Sequence, residues 1–305
     1  MKGSFAPPRH LLDVDDLSAA ELVRVLDLAD APSPPPVLAG RSVALIFEKP
    51  SLRTRNATEV AVMQLGGHPV SMHGDEVGLG RREPVADVAR ALSLYHAAVC
   101  ARVFDHEVLV SLAGAAGVPV INLLSDFAHP CQAVADLLTL RRHFGPLEGL
   151  RVAYVGDFNN VARSLAVAGA MAGVAVAVAC PDGFGPTQAD LDRLDGLGGR
   201  LEVSHDPKAA AAGADAVYTD VWVSMGHEAA GPDRRRAFAG FTVDAAVMGA
   251  AAAHAVFLHC LPAHRGEEVA AEVADGPQSV IWAQAENRLH AARGLLRFLL
   301  GAGGP

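Results

Sequence analysis

The stretch Arg151–Ala179, RVAYVGDFNNVARSLAVAGAMAGVAVAVA, decides the fold. A short apolar run, Val152–Val155, ends at Gly156 and a polar group, Asp157-Phe158-Asn159-Asn160. A segment of helical period, Val161–Ala172, follows, and a second apolar run, Ala175–Ala179, closes the unit. Strand, helix and strand in so few residues imply parallel strands joined by a helical crossover, because antiparallel strands would need only a tight turn.

The same alternation extends in both directions. Further strands are expected at Ser42–Phe47, His68–Ser71, Ala97–Ala101, Val118–Asn122, Arg200–Val203, Ala216–Thr219 and Ala255–Leu258. Helical segments lie between them at Thr54–Leu65, Pro84–Tyr95 and Gln132–His143, and a last helix spans Ser279–Leu300. At 305 residues the chain exceeds what one core usually supports. The expected fold is therefore α/β, with two doubly wound parallel-sheet domains, helices on both faces of each sheet, and an inter-domain active-site cleft at the strands' C-terminal ends. The Gly- and Pro-bearing stretch FGPLEGL, Phe144–Leu150, marks the boundary. It separates a first domain, 1–143, from a second, 144–278, with the final helix, 279–300, packing back on the first.

Composition narrows the function. The 51% hydrophobic content excludes a disordered chain. A net charge of −9 argues against a nucleic-acid binder, yet leaves room for a few arginines to hold a small anion. The four cysteines are far apart and form neither a disulfide framework nor a zinc pattern. The opening MKGSFAPPRHLLDVDDLS has no apolar signal core, and no run of about 18 apolar residues suggests a membrane span, so a cytoplasmic location is expected.

Five clusters carry chemistry. Phe47-Glu48-Lys49-Pro50-Ser51-Leu52-Arg53-Thr54-Arg55 joins a strand to a helix and offers free N–H groups, hydroxyls and guanidinium groups that suit phosphate; the bland reading is a capped helix start with solvated arginines. His129-Pro130-Cys131-Gln132 opens a helix, where a structural histidine or a metal ligand is the alternative reading. Gly156-Asp157-Phe158-Asn159-Asn160 follows a strand but lacks the G-x-G-x-x-G of dinucleotide binders, and its asparagines suit a zwitterion. Asp220-Val221-Trp222-Val223-Ser224-Met225-Gly226 places a carboxylate at a strand end, as a simple turn also would. His259-Cys260-Leu261-Pro262-Ala263-His264-Arg265-Gly266 follows the next strand, where a cysteine is ordinarily a buried small hydrophobe.

Together with Arg102 and Glu286-Asn287-Arg288-Leu289-His290, these clusters resemble the ornithine branch of the aspartate/ornithine carbamoyltransferase family, from about Phe47 to His290 and in the family's order. The resemblance implies transfer of a carbamoyl group from carbamoyl phosphate to the side-chain amine of L-ornithine, a step of arginine metabolism. It implies that Ser51, Leu52, Arg53, Thr54, Arg102, His129, Gln132, Cys260, Leu261 and Arg288 bind carbamoyl phosphate. It assigns Asn160, Asp220, Ser224 and Met225 to ornithine, and Arg102, His129, Cys260 and Asp220 to catalysis. No metal or organic cofactor, no nucleic acid and no membrane enter, and a homotrimer is expected. The chain departs from the pattern at Leu52, where the family usually has threonine. The nearest alternative is a transcarbamylase acting on putrescine or an acylated ornithine. The D-x-x-x-S-M-G and H-C-L-P spellings favour free ornithine. A binding protein without activity is opposed by the intact Arg53, Arg102 and Arg288, and a nicotinamide oxidoreductase by the missing glycine fingerprint.

Overall fold

The computed structural model describes residues 7–223 and 231–301. The expected strands are all present: β1 (Ser42–Phe47), β2 (His68–His73), β3 (Ala98–Arg102), β4 (Val120–Leu124), β5 (Arg151–Val155), β6 (Ala175–Ala179), β7 (Leu201–Ser204), β8 (Ala216–Thr219) and β9 (Val256–His259). Several run one or two residues further toward the C-terminus than apolarity alone predicts, because the ladder continues into polar site residues. Thus β3 ends on Arg102 itself, paired with Phe47 of β1.

The chain divides into two compact units, Met1–Val134 with Arg288–Pro305, and Ala135–Asn287. The first holds a four-stranded parallel sheet of order β2-β1-β3-β4, the second a five-stranded parallel sheet of order β7-β6-β5-β8-β9. Each order reverses direction once, between β1 and β3 and between β5 and β8. Right-handed crossovers on either side of such a reversal put helices on opposite faces of the sheet. They also splay apart the two loops at the strands' C-terminal ends, and that crevice is where open α/β sheets bind ligands.

Burial follows from this layering. β3, β8 and β9 are buried along their whole length, as strands covered on both faces must be, whereas the edge strand β7 alternates toward solvent. In the first unit Ala44, Ile46, Val99, Ala101, Leu109 and Leu112 pack together; in the second, Val155, Val217, Phe238, Val243 and Phe257 do so. Small residues let helices approach: a Cβ on Gly169 would lie 2.9 Å from Val176 Cγ2, so only glycine lets helix Asn160–Ala172 sit this close to β6.

Within the first unit the terminal helix is fastened by charge. The buried Arg293 donates to the carbonyls of Ala29 and Ala31, and Arg297 to that of Leu28. These are the free carbonyls at the end of helix Ala19–Asp30, where cations complement the helix dipole. Among the described residues no helix is long and apolar enough to cross a membrane.

Candidate active site: two half-sites at the sheet reversals

In the first unit the crevice between β1 and β3 is a concentrated cationic pocket. Ser51 caps helix Leu52–Gln64, its Oγ accepting from the Thr54 N–H at 3.2 Å. The remaining N–H groups of the first turn have no intrahelical acceptor, which is the usual anion-binding arrangement of a helix start. Thr54 is buried, and its Oγ1 accepts from Arg102 Nη1 at 3.5 Å and from Arg288 Nη2. Both guanidinium groups are themselves buried, so the field they project is little screened.

His129 lies against this pair, nearly without exposed surface. Burial first, and then the cations Arg288 and Arg102, hold its imidazole well below the ordinary histidine range. At neutral pH it is therefore an uncharged imidazole with one N–H to give. It precedes helix Pro130–Phe144, whose Gln132 is also buried; the Gln132 N–H donates to the His129 carbonyl at 3.0 Å. Cys131 is a structural thiol. Its Sγ donates to the Asn122 carbonyl at 3.3 Å and burial pushes its pKa up to about 12, which disposes of a His-x-Cys metal site.

Sequence reading missed Lys49. Its ammonium lies 4.3 Å from the centre of the Phe104 ring, and burial and then Arg102 lower its pKa. Glu48 braces the same loop, accepting from the Phe104 N–H at 2.9 Å.

In the second unit the crevice between β5 and β8 gathers carboxylate, amide and thiol. Register sets the arrangement: Val155 of β5 pairs with Thr219 of β8, which pairs with His259 of β9. The next residue of each strand thus enters the same crevice. The Cys260 Sγ donates to Asp220 Oδ1 at 3.0 Å, and Asn159 Nδ2 donates to Asp220 Oδ2 at 3.0 Å. Asn159 Oδ1 meanwhile caps helix Asn160–Ala172 by accepting from Val161 and Ala162 N–H. One asparagine thereby fixes both the helix start and the carboxylate. Asn160, the expected ligand, is half-buried beside it as the first helical residue. Ser224 and Met225 lie outside the described residues.

The Cys260 loop is shaped from below. Leu261 sits at φ 60° and is followed by a cis Leu261–Pro262 bond. Its N–H donates to His259 Nδ1 at 2.8 Å, so the His259 proton is on Nε2, which faces Glu268 Oε1 at 3.2 Å. His259 and Glu268 have fully buried side chains. Gln284 adds a second anchor, accepting from the His259 backbone N–H at 2.8 Å while donating to Asp136. Glu268 was invisible in the sequence because nothing marks one glutamate of the Glu267-Glu268 pair as buried. Beside the crevice, the Arg234 guanidinium pairs with Asp157 and donates from Nε to the Trp222 carbonyl at 2.6 Å, tying the loops after β5 and β8 together.

Two domains of one family match the chain: the carbamoyl-P binding domain of aspartate/ornithine carbamoyltransferase over residues 9–142, and its Asp/Orn binding domain over residues 148–299. The ornithine carbamoyltransferase of Acidothermus cellulolyticus is 55% identical, with 97% of this chain and 98% of that protein aligned. The protein of Pyrococcus furiosus named ornithine carbamoyltransferase, anabolic, is 46% identical over 96% of both chains. The solved ornithine carbamoyltransferase structure from Pyrococcus furiosus superposes with a TM-score of 0.92 at 45% identity, covering 98% of this chain and 99% of that one. The structure from Thermus thermophilus gives 0.88 at 47% identity, covering 97% and 100%.

Proposed function

This chain belongs to the aspartate/ornithine carbamoyltransferase family, and on that footing we propose that it transfers the carbamoyl group of carbamoyl phosphate to the side-chain amine of L-ornithine, giving L-citrulline and phosphate. The observation that carries the choice of ornithine is the Asp220 carboxylate held between Asn159 and Cys260. It presents negative charge to a cationic amine, where a site for aspartate would need positive charge.

The chemistry assigns the half-sites. Ser51, Leu52, Arg53 and Thr54 surround the phosphate with helix N–H groups, hydroxyls and guanidinium, and stabilise its charge as it leaves. Arg102, Arg288, Thr54 and neutral His129 point donors at the carbonyl oxygen, which gains negative charge in the tetrahedral intermediate. Gln132, Cys260 and the carbonyl of Leu261 receive the carbamoyl NH₂. The ornithine side-chain amine, of lysine type, has a solution pKa of about 10.4 and must lose a proton before it attacks. Asp220 and the Cys260 thiol hydrogen-bonded to it take that role, while Asn160, Ser224 and Met225 engage the α-groups. Transfer is direct, from amine nitrogen to carbonyl carbon, with the C–O bond to phosphate breaking.

The working protein is a cytoplasmic homotrimer without a cofactor, serving arginine biosynthesis. The family resemblance supports a trimer, and so do Met63, Leu94 and Tyr95, all more than 60% exposed on the single chain. The test is to incubate purified protein with carbamoyl phosphate and, separately, ornithine, putrescine, acetylornithine or aspartate, and to measure ureido product. Ornithine is expected to be preferred by orders of magnitude, because a site built for polar groups rejects ligands that leave them unpaired. Comparable rates with putrescine would overturn the assignment. Light scattering should give three chain masses.

A further inference from the structure

We propose that His264, Glu267 and Glu268 form a binding site for a zinc-class divalent cation, and that an ion held there acts on the Cys260 loop through Glu268. One donor atom from each residue lies within 4.8 Å of the others. Glu268 is the unusual member. Its side chain has no exposed surface; Oε1 serves both His259 Nε2 and the His264 backbone N–H, but the buried Oε2 has no hydrogen-bond partner. The nearest imidazole nitrogen, His264 Nδ1, is 3.8 Å from it, too far for a hydrogen bond and wide enough for a shared ion. A buried carboxylate oxygen is costly to leave without a donor or a cation.

The other two ligands are placed to complete the site. Glu267 is held by Arg235 Nε, 3.1 Å from each carboxylate oxygen, which orients it and leaves lone pairs over. The His264 side chain is 46% exposed and gives an ion a path from solvent. One imidazole with two carboxylates suits zinc-class ions, whereas magnesium and calcium prefer oxygen ligands alone. Three protein ligands leave a coordination position for water.

The other cluster of this kind, Asp220 with His259 and Cys260, is a poorer site. His259 Nδ1 already accepts from the Leu261 N–H and Nε2 gives its proton to Glu268, so that ring offers an ion no lone pair.

An ion on Oε2 draws electron density from the whole Glu268 carboxylate. Oε1 then accepts less strongly from His259, and His259 positions Leu261 less firmly. The effect on rate rests on the proposed role of the Cys260–Leu261 loop in carbamoyl transfer; the binding of the ion does not.

Isothermal titration of the full-length protein with zinc chloride, in a non-chelating buffer, tests the site. One ion per chain is expected, with at least tenfold weaker binding in His264→Ala, His264→Gln and Glu267→Gln, whose melting temperatures and basal turnover stay near wild type. Cys260→Ser should bind zinc unchanged, and magnesium chloride should give no comparable heat. Wild-type affinity in both His264 variants, or loss of binding in Cys260→Ser, would overturn the site. In the rate assay zinc should lower wild-type kcat and spare His264→Ala; an unaffected wild-type kcat at saturating zinc would refute the coupling. Absence of citrulline formation with zinc binding intact would count against the proposed function and not against the site.

Discussion

The Cys260 thiol and the Asp220 carboxylate meet at 3.0 Å because their strands are in register, Thr219 opposite His259, and each residue is the first beyond its strand. A thiol that donates to a carboxylate is a positioned proton holder, not a thiolate nucleophile. The pair can take a proton from a bound ammonium and hold the neutral amine toward a carbonyl carbon. It needs no covalent intermediate to do so.

Cys260→Ser keeps a donor toward Asp220 but shortens and hardens it. Turnover should fall yet remain measurable. Intact-protein mass spectrometry under turnover should show no carbamoyl adduct on the wild-type chain. A carbamoylated Cys260 that forms and decays at the rate of catalysis would establish the covalent route instead.

Glu268→Gln conserves shape and leaves an acceptor for His259 Nε2, but a neutral one. Bonds to charged partners are worth roughly 1.5–3 kcal/mol against about 0.5–1.5 for neutral ones. The loss is then about 1 kcal/mol, on the order of fivefold in kcat. Glu268 acts on Leu261 through His259 and does not touch substrate, so KM for both substrates should hardly move. A change confined to KM would assign Glu268 to binding instead.

Leu52 stands at the first position of its helix with its side chain 73% exposed, so it is not required by the core. Leu52→Thr adds a hydroxyl beside the helix-start N–H groups. A hydrogen bond to phosphate is worth roughly 1.5–3 kcal/mol, or about 10- to 150-fold in affinity. The lower end is expected, since the backbone donors are already present. Calorimetric titration with carbamoyl phosphate should show tighter binding, with the ornithine KM nearly unchanged. Equal or weaker binding would mean that the loop backbone supplies the contacts by itself.

His129 sets an acid limit. Its folded pKa is depressed by burial and by Arg288 and Arg102, whereas in the unfolded chain it titrates near 6.5. Below about pH 6.5 the unfolded state therefore binds a proton that the folded state refuses, and stability falls as pH drops through and beneath that value. His129→Gln should flatten this part of the melting-temperature profile while lowering activity. An unchanged acid slope would place the destabilising protonation elsewhere.

Both half-sites were legible as motifs because backbone geometry makes them local. A capped helix start after a strand is written in Ser51 to Thr54, and the strand-end carboxylate in Asp220. Asn159 was harder to single out, since two adjacent asparagines look alike and only the register of β5 with β8 aims the first at Asp220. Glu268 and Lys49 carried no signal at all: charged side chains default to solvent, and their burial is a property of what folds around them.

The sequence by itself determined the two parallel sheets, the order of the motifs and the kind of chemistry each motif supports. Those properties depend on periodicity and on side-chain type, which are local. The tertiary structure alone decided which residues share a crevice. Thr54 meets Arg102 and Arg288 from distant parts of the chain, and His259 meets Glu268 in a buried pair whose tautomer is fixed by Leu261. Sheet order and register set these meetings, and both are chosen by the packing of whole domains; no window of residues records them.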